Sequence, residues 1–103
     1  MNSKLPIEVS EARLVQFCQQ HNIRKLAFFG SVLRKDFHAS SDVDVLVEFE
    51  AGQGPGLIRL AGMEQELSLL LGRKADLNTP QFFHGALRRR VLAESQVHYV
   101  RRG

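Results

Sequence analysis

A chain of 103 residues with 44% apolar and 24% charged side chains has the usage of one globular domain, large enough to bury a core without staples. Its single cysteine, Cys18, excludes an internal disulfide and a cysteine-based zinc cluster. The formal charge of +3 is uneven, because residues 1–50 carry six Lys/Arg against seven Asp/Glu and residues 51–103 carry eight against four. Most of the excess lies in Arg88-Arg89-Arg90 and Arg101-Arg102. Arginines without interleaved aromatics read as a solvated helix face and point only weakly to nucleic acid. Apolar runs are far too short for a membrane helix. The start, Met1 to Pro6, lacks the apolar stretch of a signal peptide, so a cytoplasmic location is expected.

The first helix is expected over Pro6 to His21, with Leu14, Phe17, Cys18 and His21 on one face and Asn22 as the stop. Cys18 there reads as a small core residue, with a reactive thiol as the alternative. The histidines, His21, His38, His84 and His98, form no zinc-binding pair and read as surface or cap residues. Arg24 to Phe29 is a short apolar strand that ends at Gly30-Ser31. Ser31 to Phe37 fits a helix of one to two turns, and residues 38–41 form a loop into a second strand, Asp42 to Phe49. Gly52 to Gly56 is a loop; no Gly-Lys-Ser/Thr follows it, so its glycines do not make a phosphate cradle. Leu57 to Leu71 is a core helix, with Leu60, Met63, Glu64, Leu67, Leu70 and Leu71 near helical spacing and Gly72 as its end. Lys74 to Thr79 is a third strand. Pro80 to Ala93 is a last helix, with Phe83, Leu87, Val91 and Ala86 on its buried face, and Val97 to Val100 a final edge strand. Alternating helices and strands predict an α/β (α+β) domain, a small sheet backed by helices.

The chemistry concentrates between Ala27 and Phe49. Side chains alternate along a strand, so Asp42 and Asp44 point one way while Val43, Val45 and Val47 point the other. Two carboxylates so placed disfavour each other's ionisation unless a cation sits between them. A hard divalent ion such as Mg²⁺ takes oxygen ligands and commonly shares them with substrate phosphates, which makes a nucleotide the natural companion. At the turn Gly30 lets a ligand approach the backbone, and Ser31 offers a hydroxyl and the first N–H groups of a helix.

Gly30-Ser31, ten residues and Asp42-Val43-Asp44 resemble the signature of the nucleotidyltransferase fold of the DNA polymerase beta superfamily. In size and flanking pattern the chain is similar to the stand-alone minimal nucleotidyltransferases, many of them antitoxin partners of HEPN-domain ribonuclease toxins. The resemblance covers nearly the whole chain but is specific only at Gly30-Ser31, Asp42-x-Asp44 and, more loosely, Asp76. It implies a three- or four-stranded mixed sheet, and a third carboxylate from a strand beside the Asp-x-Asp strand, which Asp76 would supply. By its residue pattern alone Asp76 is also explained by an exposed edge position, the less favoured reading. The family's chemistry implies transfer of AMP from ATP to a hydroxyl, with Asp42, Asp44 and Asp76 holding two Mg²⁺ and Gly30, Ser31 and Arg34 at the triphosphate. Lys35 departs from the glycine usual after that arginine, which puts fine nucleotide specificity in doubt. The acceptor implied is a hydroxyl, such as a tyrosine, on a HEPN-type toxin. The rival readings are a binding module that blocks its partner sterically, favoured less because it needs no carboxylate trio, and extension of nucleic acid, which rests on the basic second half alone.

Overall fold

The computed structural model describes residues 7, 9–34 and 41–101. Ser10 caps the first helix, α1 (Glu11–Gln20), its hydroxyl accepting from the Arg13 N–H at 3.4 Å. A cap of this kind satisfies one of the N–H groups that the first turn leaves open. The expected start at Pro6 is therefore too early: Val9 and Ser10 are not helical, and residues 1–6 and 8 lie outside the described residues. The chain leaves α1 through Asn22, which takes a positive φ of 57°, a conformation asparagine tolerates better than most side chains. Strand β1 (Ile23–Phe29) follows, then a single 3₁₀ turn over Gly30–Leu33. The longer helix expected to Phe37 is not seen: Arg34 is already extended, and residues 35–40 lie outside the described residues.

Strand β2 (Val43–Phe49) runs antiparallel to β1, with Phe29 opposite Asp44. Helix α2 (Leu57–Leu71) crosses back over the sheet and stops at Gly72, φ 75°, whose N–H donates to the Ser68 carbonyl at 2.9 Å. The crossover lets β3 (Ala75–Asn78) lie parallel to β2, as a βαβ connection requires. Strand β4 (Gln96–Val100) closes the other side, antiparallel to β1. The mixed sheet has the order β3-β2-β1-β4.

One face of this sheet is the core. Leu14, Phe17 and Cys18 of α1 and Met63, Leu67 and Leu71 of α2 pack on Ile23, Leu26 and Phe28 of β1, on Val43, Val45 and Val47, and on Ala75 and Leu77. Burial pushes the Cys18 thiol up to about 12, so it is an inert core residue at neutral pH. His21 is the cap residue expected, bonded to Glu66 at 2.9 Å. His98 is neither surface nor cap: half-buried, it meets the edge of Phe28 at 4.8 Å, and desolvation lowers its pKa.

The last helix departs most from expectation. Pro80–Phe82 is a separate 3₁₀ turn, and α3 (Gly85–Glu94) buries none of its residues. Ala86 and Leu87 are exposed and Phe83 and Val91 only partly covered; Phe83 packs edge-on against Phe29, with centroids 5.8 Å apart. The apolar residues recur at helical spacing, but none of them is buried. Truncation should separate the two helices. Leu67→Ala, at a fully buried position, should cost about 2–5 kcal/mol in urea unfolding, whereas Leu87→Ala, at a side chain 54% exposed, should stay within about 0.5 kcal/mol of wild type.

Candidate active site

The site is built on the sheet face away from the α1–α2 core. In β2 the buried residues Val43, Val45 and Val47 face the helices, which leaves Asp44 half-buried on the other face. Asp42 stands just before the strand, also half-buried. In β3 the alternation is Ala75 and Leu77 inward, Asp76 and Asn78 outward. The parallel register sets Asp76 directly beside Asp44. Two carboxylates on neighbouring strands at one register position are close enough to interact strongly.

Gly30 packs against the first of them. A Cβ built on Gly30 would meet the Asp44 carboxylate oxygen Oδ2 and push that carboxylate aside, and the residue's φ is 75°, so a side chain there strains the backbone and displaces Asp44. Beside it the Ser31 backbone N–H bonds the Asp44 carboxylate. The Ser31 hydroxyl donates to the Asp42 carbonyl at 3.3 Å, tying the turn to the start of β2. Because the turn is only four residues of 3₁₀ helix, the helix macrodipole expected at an anion site contributes little. Arg34, exposed just past the turn, is near enough to act on Asp44 electrostatically.

Burial, and then the negative charge of Asp76, raise the Asp44 pKa above the usual carboxylate value; the Ser31 N–H and Arg34 pull the other way, while Asp42 adds to the rise. Asp42 lies 3.9 Å from Lys74 Nζ, a largely exposed side chain, in a long and solvated pair and so worth little. Asp42 and Asp76 thus each act on Asp44 at one corner of the sheet, although among the described residues no group of three or more His, Cys, Asp or Glu side chains is gathered to hold a metal ion. The residues nonetheless fit a hard divalent cation: the donors are all carboxylate oxygens, and the strain on Asp44 is of the kind a cation relieves.

Three residues near the site escaped the sequence reading. Glu64 and Ser68 of α2 accept hydrogen bonds from the backbone N–H groups of Leu77 and Ala75, at 2.7 and 2.9 Å, on either side of Asp76. The signal was a carboxylate, Glu64, on the apolar stripe of a helix. Lys74 beside Asp42 carried no signal, since exposed lysines are common.

The raised Asp44 pKa has a stability consequence with a definite sign. Folding favours the protonated form, so this group's contribution is fullest below its unfolded pKa of about 3.9 and is lost as pH rises through the folded value. At neutral pH Asp44→Asn should therefore be as stable as wild type in urea unfolding or slightly more stable, by less than about 1 kcal/mol since the group is partly exposed, and the gap should close below about pH 4. Glycine substitution gives a second test. Gly30→Ala should destabilise more than Gly72→Ala, which has the same φ of 75° but open space for a Cβ. In an Asp44→Ala background the excess should vanish, as a double-mutant cycle in denaturant would read.

With this geometry in hand, the chain can be set beside known proteins. The profile of the nucleotidyltransferase domain family matches residues 11–98. A candidate protein adenylyltransferase of Methanocaldococcus jannaschii is 32% identical over 83 residues, 81% of this chain and 87% of that protein. The protein adenylyltransferase MntA of Thermococcus cleftensis is 33% identical over 76 residues, 74% of this chain and 75% of its own. Among solved structures, a candidate minimal nucleotidyltransferase superposes with a TM-score of 0.68 at 32% identity, covering 82% of this chain and 85% of that one. A toxin–antitoxin structure solved with AMP-PNP gives 0.73 at 18% identity, covering 90% of this chain and 75% of that one, and is evidence for the fold alone. The family profile spans the Gly-Ser turn and the carboxylates of β2 and β3, and the chain belongs to the nucleotidyltransferase domain family as a minimal nucleotidyltransferase enzyme.

Proposed function

We propose that this enzyme transfers AMP from ATP to a hydroxyl on a protein partner and that the partner is a HEPN-type ribonuclease toxin held inactive by the modification. The observation that carries the reading is the register of Asp44 with Asp76 on adjacent strands, with Gly30 and Ser31 closed against the Asp44 carboxylate. In the reaction the acceptor oxygen bonds to the α-phosphorus of ATP, the bond from that phosphorus to the bridging oxygen breaks, and pyrophosphate leaves. Asp76 helps take the hydroxyl proton. Gly30 allows the phosphates to approach the backbone, Ser31 offers its hydroxyl, and Arg34 balances triphosphate charge. Asp42, Asp44 and Asp76 would hold Mg²⁺, two ions by the family's chemistry, which when bound lower the pKa of the attacking hydroxyl and neutralise the leaving group.

A protein acceptor is supported by the surface. Leu57 and Leu60 at the start of α2 line one open groove with Phe82 and with Arg88 of α3, and apolar side chains in such a groove can meet a protein partner. It is also supported by the relatives, whose names state protein adenylyltransferase activity. The same surface would serve a partner that is only covered and never modified, so the experiment must separate the two.

Purified protein with labelled ATP and Mg²⁺ should transfer label to a co-encoded HEPN protein and raise its mass by one or more adenylates, and the partner should stay inactive after the two are separated. Covalent inhibition survives dilution, whereas inhibition by binding reverses with the off-rate of the complex. Asp42→Asn/Asp44→Asn should abolish both effects. A doubly substituted protein that still inhibits fully at equimolar ratio, with no change in the partner's mass, would favour the steric reading.

A further inference from the structure

Strand β3 is the weak point of the site. It has four residues, lies at the edge of the sheet and pairs with β2 alone. Its backbone alternates like its side chains. The Lys74 carbonyl accepts from the Val43 N–H at 2.9 Å, so the peptide groups on that side belong to the ladder and those of Ala75 and Leu77 face outward. An edge strand with open N–H groups competes for water and can slip or fray. Here α2 takes both: Ser68 Oγ accepts from Ala75 at 2.9 Å and Glu64 Oε2 from Leu77 at 2.7 Å. The Ser68 hydroxyl proton goes to the Glu64 carbonyl at 2.8 Å, which leaves its oxygen lone pairs turned to β3.

We propose that Glu64 and Ser68 are positioning residues for Asp76: by clamping the N–H groups before and after it, they hold its carboxylate in register with Asp44. Glu64 sits among Leu60, Met63 and Leu67 on the buried stripe of α2, where an apolar residue would serve packing better and a half-buried carboxylate carries a desolvation cost. A short, charge-assisted bond to a backbone N–H offsets that cost, and what it secures is the peptide next to Asp76. The clamp lies on the outer edge of β3, apart from Gly30, Ser31 and Arg34, so its loss affects the third carboxylate and spares the triphosphate end. The functional meaning of this inference rests on the role proposed above for Asp76; the clamp itself does not.

The test compares Glu64→Ala, Glu64→Gln and Ser68→Ala. Glutamine keeps an acceptor oxygen and should rescue. By NMR, the Leu77 amide should exchange at least tenfold faster in Glu64→Ala than in wild type or Glu64→Gln, and the Ala75 amide likewise in Ser68→Ala. On titration with Mg²⁺ alone, the Asp76 amide should need about tenfold more ion for half its shift in Glu64→Ala, and a near-normal amount in Glu64→Gln. In the transfer assay Glu64→Ala should lower kcat about tenfold or more with little change in KM for ATP, and should add nothing in an Asp76→Asn background. A folded Glu64→Ala whose Leu77 amide is as protected as in wild type, or whose Asp76 responds normally to Mg²⁺ despite a loosened strand, overturns the proposal. Wild-type protein that modifies no partner overturns the function proposed above instead, and leaves the exchange and Mg²⁺ measurements to decide this one.

Discussion

Bringing Asp44 and Asp76 to one register position on adjacent parallel strands is an electrostatic burden on which the rest of the structure is arranged. Burial, and then the like charge of Asp76 beside it, raise the pKa of Asp44, both carboxylates being half-buried. Three devices oppose the burden. The Ser31 N–H and Arg34 lower the charge felt at Asp44. Gly30 has no Cβ, so the carboxylate can lie against the turn. On the far side, α2 grips β3 through Glu64 and Ser68. The hydrophobic face supplies the stability to bear the burden, since every buried residue of the core cluster lies in α1, α2, β1, β2 or β3, or at Val32 of the turn.

The architecture also explains why the functional groups sit where they do. Parallel pairing needs a crossover connection, and α2 is that crossover. One helix thus builds the core, brings β3 beside β2, and seals the edge it has created. The 3₁₀ turn between β1 and β2 does the equivalent on the other side, delivering Gly30 and Ser31 to Asp44 because β1 and β2 are antiparallel neighbours with Phe29 opposite it. The opposite edge, β4, carries none of the candidate site residues, and α3 buries none of its own.

What the sequence by itself determined was the local chemistry. Alternation put Val43, Val45 and Val47 inward and Asp44 outward, glycines and Asn22 marked the element ends, and the spacing of Gly30-Ser31 to Asp42-x-Asp44 identified the family. These are readable because strand and helix periodicity, and the conformational preferences of glycine and asparagine, act within a few residues. Tertiary structure decided the rest. Whether an apolar stripe is buried depends on what faces it, so the stripe of α2 became core while the leucines of α3 stayed exposed. Ser31 to Phe37 had the composition of a helix, yet only one 3₁₀ turn formed before the chain extended at Arg34. Asp76 could be read alone as an edge residue; only the pairing of β3 with β2 sets it beside Asp44. Glu64 was visible as a charge among leucines, but its purpose depends on a backbone N–H 13 residues away, and a contact of that range is made by folding and not by local sequence.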